Sequence, residues 1–229
     1  MKKWGLTGNQ LKIIALLTMT VDHIGHLLYP DVGILRIIGR LALPIFAYMI
    51  AEGCRHTRSM GKYFGAVAGV GAAGQLVAWL VTGTMRQNML VSFALSIGII
   101  WLIRLAQERK KEWLWLLPLG SVVLVWLLDR YLIEGFPNVE SGLDYGYLGV
   151  MLPVLIYMGR NIPQRLALTA LGLILLGLTG LPWQWWALEA LPMLALYNGQ
   201  RGTAKLKWSF YIYYPLHLGL IYGIQWLTA

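Results

Sequence analysis

The sequence predicts an all-α polytopic membrane protein with about nine transmembrane helices and a cytoplasmic N-terminus. Three observations predict it. Of the 229 residues, 58% are hydrophobic and 13% charged, a balance found in membrane domains rather than soluble ones. The apolar residues fall into runs approaching a bilayer span in length, separated by short polar loops. Lysine and arginine are concentrated in every second loop, which fixes an orientation. No polar stretch is long enough for a separate soluble domain, so residues 1–229 read as a single integral membrane domain. The net charge of +9 sits in loops between apolar runs rather than on one polar face, so topology accounts for it and no nucleic acid partner is expected. A single cysteine, Cys54, excludes an internal disulfide, and no cysteine and histidine cluster points to a metal.

The first run, Gln10 to Tyr29, follows Lys2 and Lys3. It carries Asp22 and His23 and lacks a small-residue cleavage site, so it reads as a retained helix rather than a signal peptide. The second, Gly33 to Gly53, ends before Arg55, Arg58 and Lys62. A third and a fourth, Gly61 to Thr82 and Asn88 to Ala106, lead to Arg109, Lys110 and Lys111. After the fifth, Trp113 to Leu132, comes the longest loop, where Glu134, Glu140 and Asp144 gather. The sixth, Tyr145 to Met158, is short and precedes Arg160 and Arg165. The seventh runs from Gln164 to Leu181. The short eighth, Trp183 to Tyr197, opens with Trp183, Trp185 and Trp186, as an interfacial aromatic belt would. Arg201, Lys205 and Lys207 then lead into the ninth, Leu206 to Leu227. The intervening loops hold only Arg86 and Arg130, which places the N-terminus inside; the expected location is the cell inner (plasma) membrane.

Ionisable groups within a bilayer are costly, so each is a functional candidate. Lys12 and His23 are eleven residues apart, close to a whole number of helical turns, and so share one stripe about 16 Å long. Arg36 and Arg40, four residues apart, are neighbours on the second helix and repel one another unless an anion lies between them. A short connection makes the first two helices a hairpin, with His23 and the arginines at similar depth and Glu189 near that level. Asp22 adjoins His23 and therefore faces another direction. His217 follows Tyr213 by four residues in the last helix, on the same face. The bland reading of these groups is an ion cluster and packed imidazoles that only hold helices together.

Lys12, ten intervening residues and His23 resemble the basic residue and histidine motif of the membrane-bound acyltransferase-3 superfamily. GRLALPIFAYMIAEG from Gly39 to Gly53 is similar to its second-helix pattern, and SFYIYYPLHLGLIY from Ser209 to Tyr222 to its closing segment. More specifically, TMTVDHIGHLLYP followed by RIIGRLALPIFAYMIAEG resembles the TraX branch, named for a conjugal-transfer protein that N-acetylates pilin. The larger superfamily has ten spans and a later paired-arginine motif, a departure that leaves Arg36 and Arg40 without the cofactor role of that motif.

Chemistry and resemblance together imply an acyl-CoA-dependent N- or O-acetyltransferase, moving an acetyl group from cytosolic acetyl-CoA to an amine or hydroxyl of a peptide, pilin-like or glycan acceptor at the membrane. In that expectation His23 is the general base, and Arg36 and Arg40 stabilise the oxyanion. Lys12 and His217 serve the donor, while Asp22, Glu189 and Tyr213 face the acceptor. Two other classes fit the same polar groups, a proton-coupled transporter and a noncatalytic membrane assembly factor.

Overall fold

A computed structural model describes residues 4–82, 88–132, 143–179, 182–203 and 207–228. Lys2, Lys3, Arg86, Glu134, Glu140 and Lys205, used above to orient the loops, lie outside the described residues. Ten α-helices follow in order: α1 (Gly8–Leu27), α2 (Gly33–Gly39), α3 (Ala42–His56), α4 (Met60–Thr82), α5 (Met89–Arg109), α6 (Leu116–Leu127), α7 (Gly146–Met158), α8 (Ile162–Thr179), α9 (Ala190–Ala195) and α10 (Lys207–Thr228). A 3-10 turn, Pro182–Glu189, precedes α9, and one π turn, Leu128–Leu132, prolongs α6. The described residues contain no strand, only the isolated parallel bridge Leu6 to Tyr197.

The described residues bear out fewer than the nine expected spans. Among the described residues five helical stretches are long and apolar enough to cross a membrane: Gly33–His56, Met60–Val81, Met89–Arg109, Glu112–Tyr131 and Ile162–Thr179. Helices α1 and α10 are 20 and 22 residues long yet are not among them. Their sequences hold the intramembrane histidines, and α1 adds Asn9, Gln10, Lys12 and Asp22. The eighth run is broken into the 3-10 turn and the six-residue α9. The second run bends between α2 and α3 because Pro44, in the first turn of α3, has no N–H for the carbonyl of Arg40 and clashes with it. Helix α6 exposes Leu116, Leu119, Leu124 and Trp126, an outward apolar face suited to lipid.

The chain divides into two compact units, residues 1–49 with 159–229, and residues 50–158. In the second unit α5 is the hub. Phe93, Ile97 and Ile100 are fully buried on it, as are Val150, Leu152 and Ile156 on α7. The Ser96 hydroxyl donates to the carbonyl of Val150 at 2.7 Å, a polar link of the kind that joins helices in lipid. Asn88 caps α5, its side chain accepting from Leu90 and Val91 N–H, while its amide donates to Gly71 of α4 at 2.8 Å. At the other end Arg55 donates to the carbonyls of Ile156 and Tyr157 and so closes the C-terminus of α7. The N-terminus of α7 is held by Asp129, whose carboxylate accepts from Leu143 N–H at 3.1 Å and Tyr147 N–H at 2.7 Å. Asp129→Ala is therefore expected to cost about 1–2 kcal/mol, the usual worth of a cap. Thermal unfolding in detergent reads this as a lower Tm, whereas an unchanged Tm would remove Asp129 from the support of α7.

In the first unit the chain enters α1 under tight control. Thr7 and Gln10 form a reciprocal capping box, with Thr7 N–H donating to Gln10 Oε1 at 2.8 Å. Gly8 and Asn9 N–H donate to the carbonyls of Gln200 and Arg201 at 2.7 and 2.9 Å, so the orphan donors of the helix end are used by the loop before α10. Further along, α1 packs against both α2 and α10, and the 3-10 turn packs against α2 and α8. Leu11 and Ala15 of α1 are completely buried. These contacts bring the polar residues of α1 to two neighbouring helices.

Candidate functional site

Successive residues of a helix point about 100° apart, and Asp22 and His23 use that difference. Asp22 turns to α2. Its Oδ2 lies 2.9 Å from Arg36 Nη1 and its Oδ1 lies 3.5 Å from Arg40 Nη2. Arg36 Nη1 also donates to the Asp22 carbonyl at 3.3 Å, and Arg40 Nη1 to Gln184 Oε1 at 3.2 Å. The anion required between two arginines four residues apart is thus a carboxylate of the same chain.

Close approach of the helices makes this possible. A Cβ at Gly39 would overlap the Asp22 side chain, and one at Gly25 would run into Leu35. Only glycine lets α1 and α2 come near enough for a short aspartate to span both guanidiniums.

His23 turns to α10 instead. Its Nδ1 is 2.9 Å from Nε2 of His217, and Nδ1 of His217 is 3.0 Å from the carbonyl of Tyr213. A carbonyl can only accept, so His217 carries its proton on Nδ1 and, singly protonated, accepts at Nε2. His23 then donates from Nδ1 and keeps a lone pair on Nε2. The two rings stack at 5.1 Å, and Tyr213 stacks on His217 at 5.2 Å while Tyr214 meets it edge-on. One turn before His23, Thr20 Oγ1 lies 2.7 Å from the Tyr213 hydroxyl, tying the helices a second time. His217→Phe keeps an aromatic ring between the tyrosines but removes both nitrogens. It is expected to lower stability by about 1–2 kcal/mol through the lost bond to His23, measured as Tm in detergent. An unchanged Tm would show that the imidazole pair holds nothing.

Of the residues singled out in the sequence, Asp22, Arg36 and Arg40 form one cluster, and His23, His217 and Tyr213 another, on adjoining faces of α1. The arginines expected beside His23 pair with Asp22, the residue that adjacency had turned away from the histidine. Glu189 does not enter either cluster. It is exposed at the end of the 3-10 turn, and that turn reaches Arg40 through Gln184. Lys12 is half-buried near the N-terminus of α1, about 16 Å along the helix from His23. Gln184 and Thr20 were not anticipated. The one polar residue inside PWQWWAL was the available sign for Gln184, since a buried amide in such a run needs an internal partner.

Among the described residues no group of three or more histidine, cysteine, aspartate or glutamate side chains is arranged to hold a metal ion.

Comparison with known proteins supplies the family. The family model described as TraX protein matches residues 7–225, and the chain belongs to that family. A probable fimbrial assembly protein of Dichelobacter nodosus, FimC of serogroup H1, is 25% identical, covering 93% of both chains. An uncharacterized protein of Rickettsia prowazekii is 55% identical over 38 residues, 17% of this chain and 15% of its own. No solved structure matches the chain.

These findings correct the expected activity. Acetyl transfer from acetyl-CoA was inferred through the acyltransferase-3 superfamily and its TraX branch; the TraX membership is shown and the superfamily placement is not, and a relative matched over 93% of both chains is described by fimbrial assembly. Basic residues and histidines at those spacings suit an oxyanion and a base; here the arginines are paired with Asp22, and His23 is bonded to His217 through Nδ1.

Proposed function

We propose that this TraX-family chain acts in the assembly of a fimbrial or pilin-type surface fibre, from the inner membrane and with its N-terminus in the cytoplasm. The observation that carries the reading is the similarity to a fimbrial assembly protein across 93% of both chains. Polar pairs locked between α1, α2 and α10 support it, because they hold three helices in one arrangement within lipid. In this reading the first unit is a rigid docking frame that receives the fibre subunit before it leaves the membrane. The turn between α1 and α2, where Val32 is exposed, is the element nearest the polar clusters that a subunit could meet from outside.

Site-specific photo-crosslinking tests the proposal in cells that make the fibre. A photoreactive residue at Val32 should yield an adduct with the fibre subunit, and one at Leu119 of α6 should not. Equal yields at both positions, or none at Val32 with the chain normally expressed, would overturn it.

A further inference from the structure

One end of the second unit gathers cations that its own carboxylates leave unpaired. Arg104 Nη1 on α5 donates to the carbonyl of Thr57 at 3.1 Å, so the loop between α3 and α4 lies against the last turns of α5. A Cβ at Gly61, at the start of α4, would meet the Trp101 ring of α5 at 3.3 Å, which fixes the same approach a turn earlier. Arg58 and Lys62 are thereby brought to the end of α5 that carries Arg109, Lys110 and Lys111, with Arg109 ~8 Å along the axis from Arg104. All of these cations are exposed, and none is in an ion pair among the described residues. Nearby carboxylates are already taken. Glu108 is held by Arg104 at 2.7 Å, and the buried Glu52 faces Arg55 and His56. Glu112, also exposed, is left to oppose the cluster.

Backbone strain marks the same place. Lys110 closes α5 in the left-handed region, at φ 51° and ψ 29°, with its N–H on the carbonyl of Ala106. Glycine is the usual residue at such a position because a Cβ is penalised there, so a lysine that persists points to a use for its side chain. The helix dipole accounts for a cation in the last turn of α5, but not for Lys111 beyond it or for Arg58 and Lys62 on another loop. A 3-10 turn, Glu112–Trp115, follows at once. At three residues per turn, Trp113 and Trp115 each stand about 120° from the buried Leu114, so both face outward, and they are 60% and 44% exposed. Basic side chains followed by outward tryptophans match the level where headgroups give way to acyl chains.

We infer that residues 109–115, with Arg58 and Lys62 beside them, form a docking surface for the headgroups of anionic phospholipid at the membrane boundary. The lysines and arginines give charge-assisted hydrogen bonds to phosphate oxygens, and Trp113 and Trp115 hold the turn at the depth where those oxygens lie. Charge complementarity sets the choice of lipid, because a zwitterionic headgroup brings its own cation and gains little from this cluster. The surface lies wholly within the second unit and stands independently of the role in fibre assembly.

Displacement of a fluorescent phosphatidylglycerol from the purified full chain in detergent tests the inference. Unlabelled phosphatidylglycerol should compete, and phosphatidylcholine and inorganic phosphate at the same concentration should not. Arg109→Gln, Lys110→Gln and Lys111→Gln combined should weaken binding on the order of tenfold. Arg130→Gln, Arg160→Gln and Arg201→Gln combined, at exposed positions elsewhere, remove the same charge and should leave binding unchanged. Circular dichroism establishes that each variant is folded. Lys110→Gly suits the left-handed backbone, so it should raise Tm while lowering affinity about threefold, a combination that a lysine kept only for the fold would not give. Equal losses in the two triple variants would overturn the assignment, as would wild-type affinity in Lys110→Gly or competition by phosphatidylcholine or inorganic phosphate equal to that of phosphatidylglycerol.

Discussion

Asp22→Asn is expected to lower the unfolding free energy by about 3 kcal/mol, the lower end of the cost of removing one partner from a buried ion pair, because Arg40 is buried while Asp22 and Arg36 are partly exposed. The substitution keeps the shape of the side chain and deletes only its charge, leaving Arg36 and Arg40, four residues apart on one face, without the anion between them. Their repulsion then acts in a poorly hydrated site, where it is least screened. In thermal unfolding this corresponds to a Tm lower by roughly 10 °C for a chain of this size. Combining Asp22→Asn with Arg36→Gln should restore part of the loss, because one mutation removes the group that the other strands. A Tm for Asp22→Asn within 2 °C of wild type would show that the pair is incidental.

The second large effect is steric. Gly39→Ala places a methyl group where the Asp22 side chain already lies, with the Cβ, Cγ and Oδ1 of the aspartate all in overlap. Overpacking a close helix contact costs about 1–3 kcal/mol, and displacement of Asp22 from the arginines raises the loss toward that of Asp22→Asn. The two substitutions are consequently expected to be far from additive. If Gly39→Ala and Asp22→Asn lowered stability by fully additive amounts in the double variant, the glycine would serve some purpose other than seating the aspartate.

Much of the architecture was legible in the sequence because bilayer constraints are local. Long apolar runs, short loops and alternating basic residues act over windows of about 20 residues, and all-helical structure follows from them. The exact spans were less legible. Pro44 divides the second run at Arg40, a backbone effect that apolarity conceals. The eighth run satisfies hydropathy yet folds as a tight turn that sends Gln184 inward and leaves its tryptophans at the surface.

Site residues divide along the same line. Arg36, Arg40, His23 and His217 stood out because charge and imidazole are rare in such segments. Their partners depend on how helices meet, which one sequence does not state. The pairing of His23 with His217 joins residues 194 positions apart. Assigning the arginines to His23 rested on equal depth, whereas rotation about the helix axis decides contact, and 100° of it separates Asp22 from His23.

The most direct measurement of the central claim is a count of surface fibres by electron microscopy, in a host that makes them and from which this chain has been deleted. The account predicts that deletion removes the fibres while subunit expression continues, and that the wild-type chain restores them. Undiminished fibres on the deleted cells would contradict it.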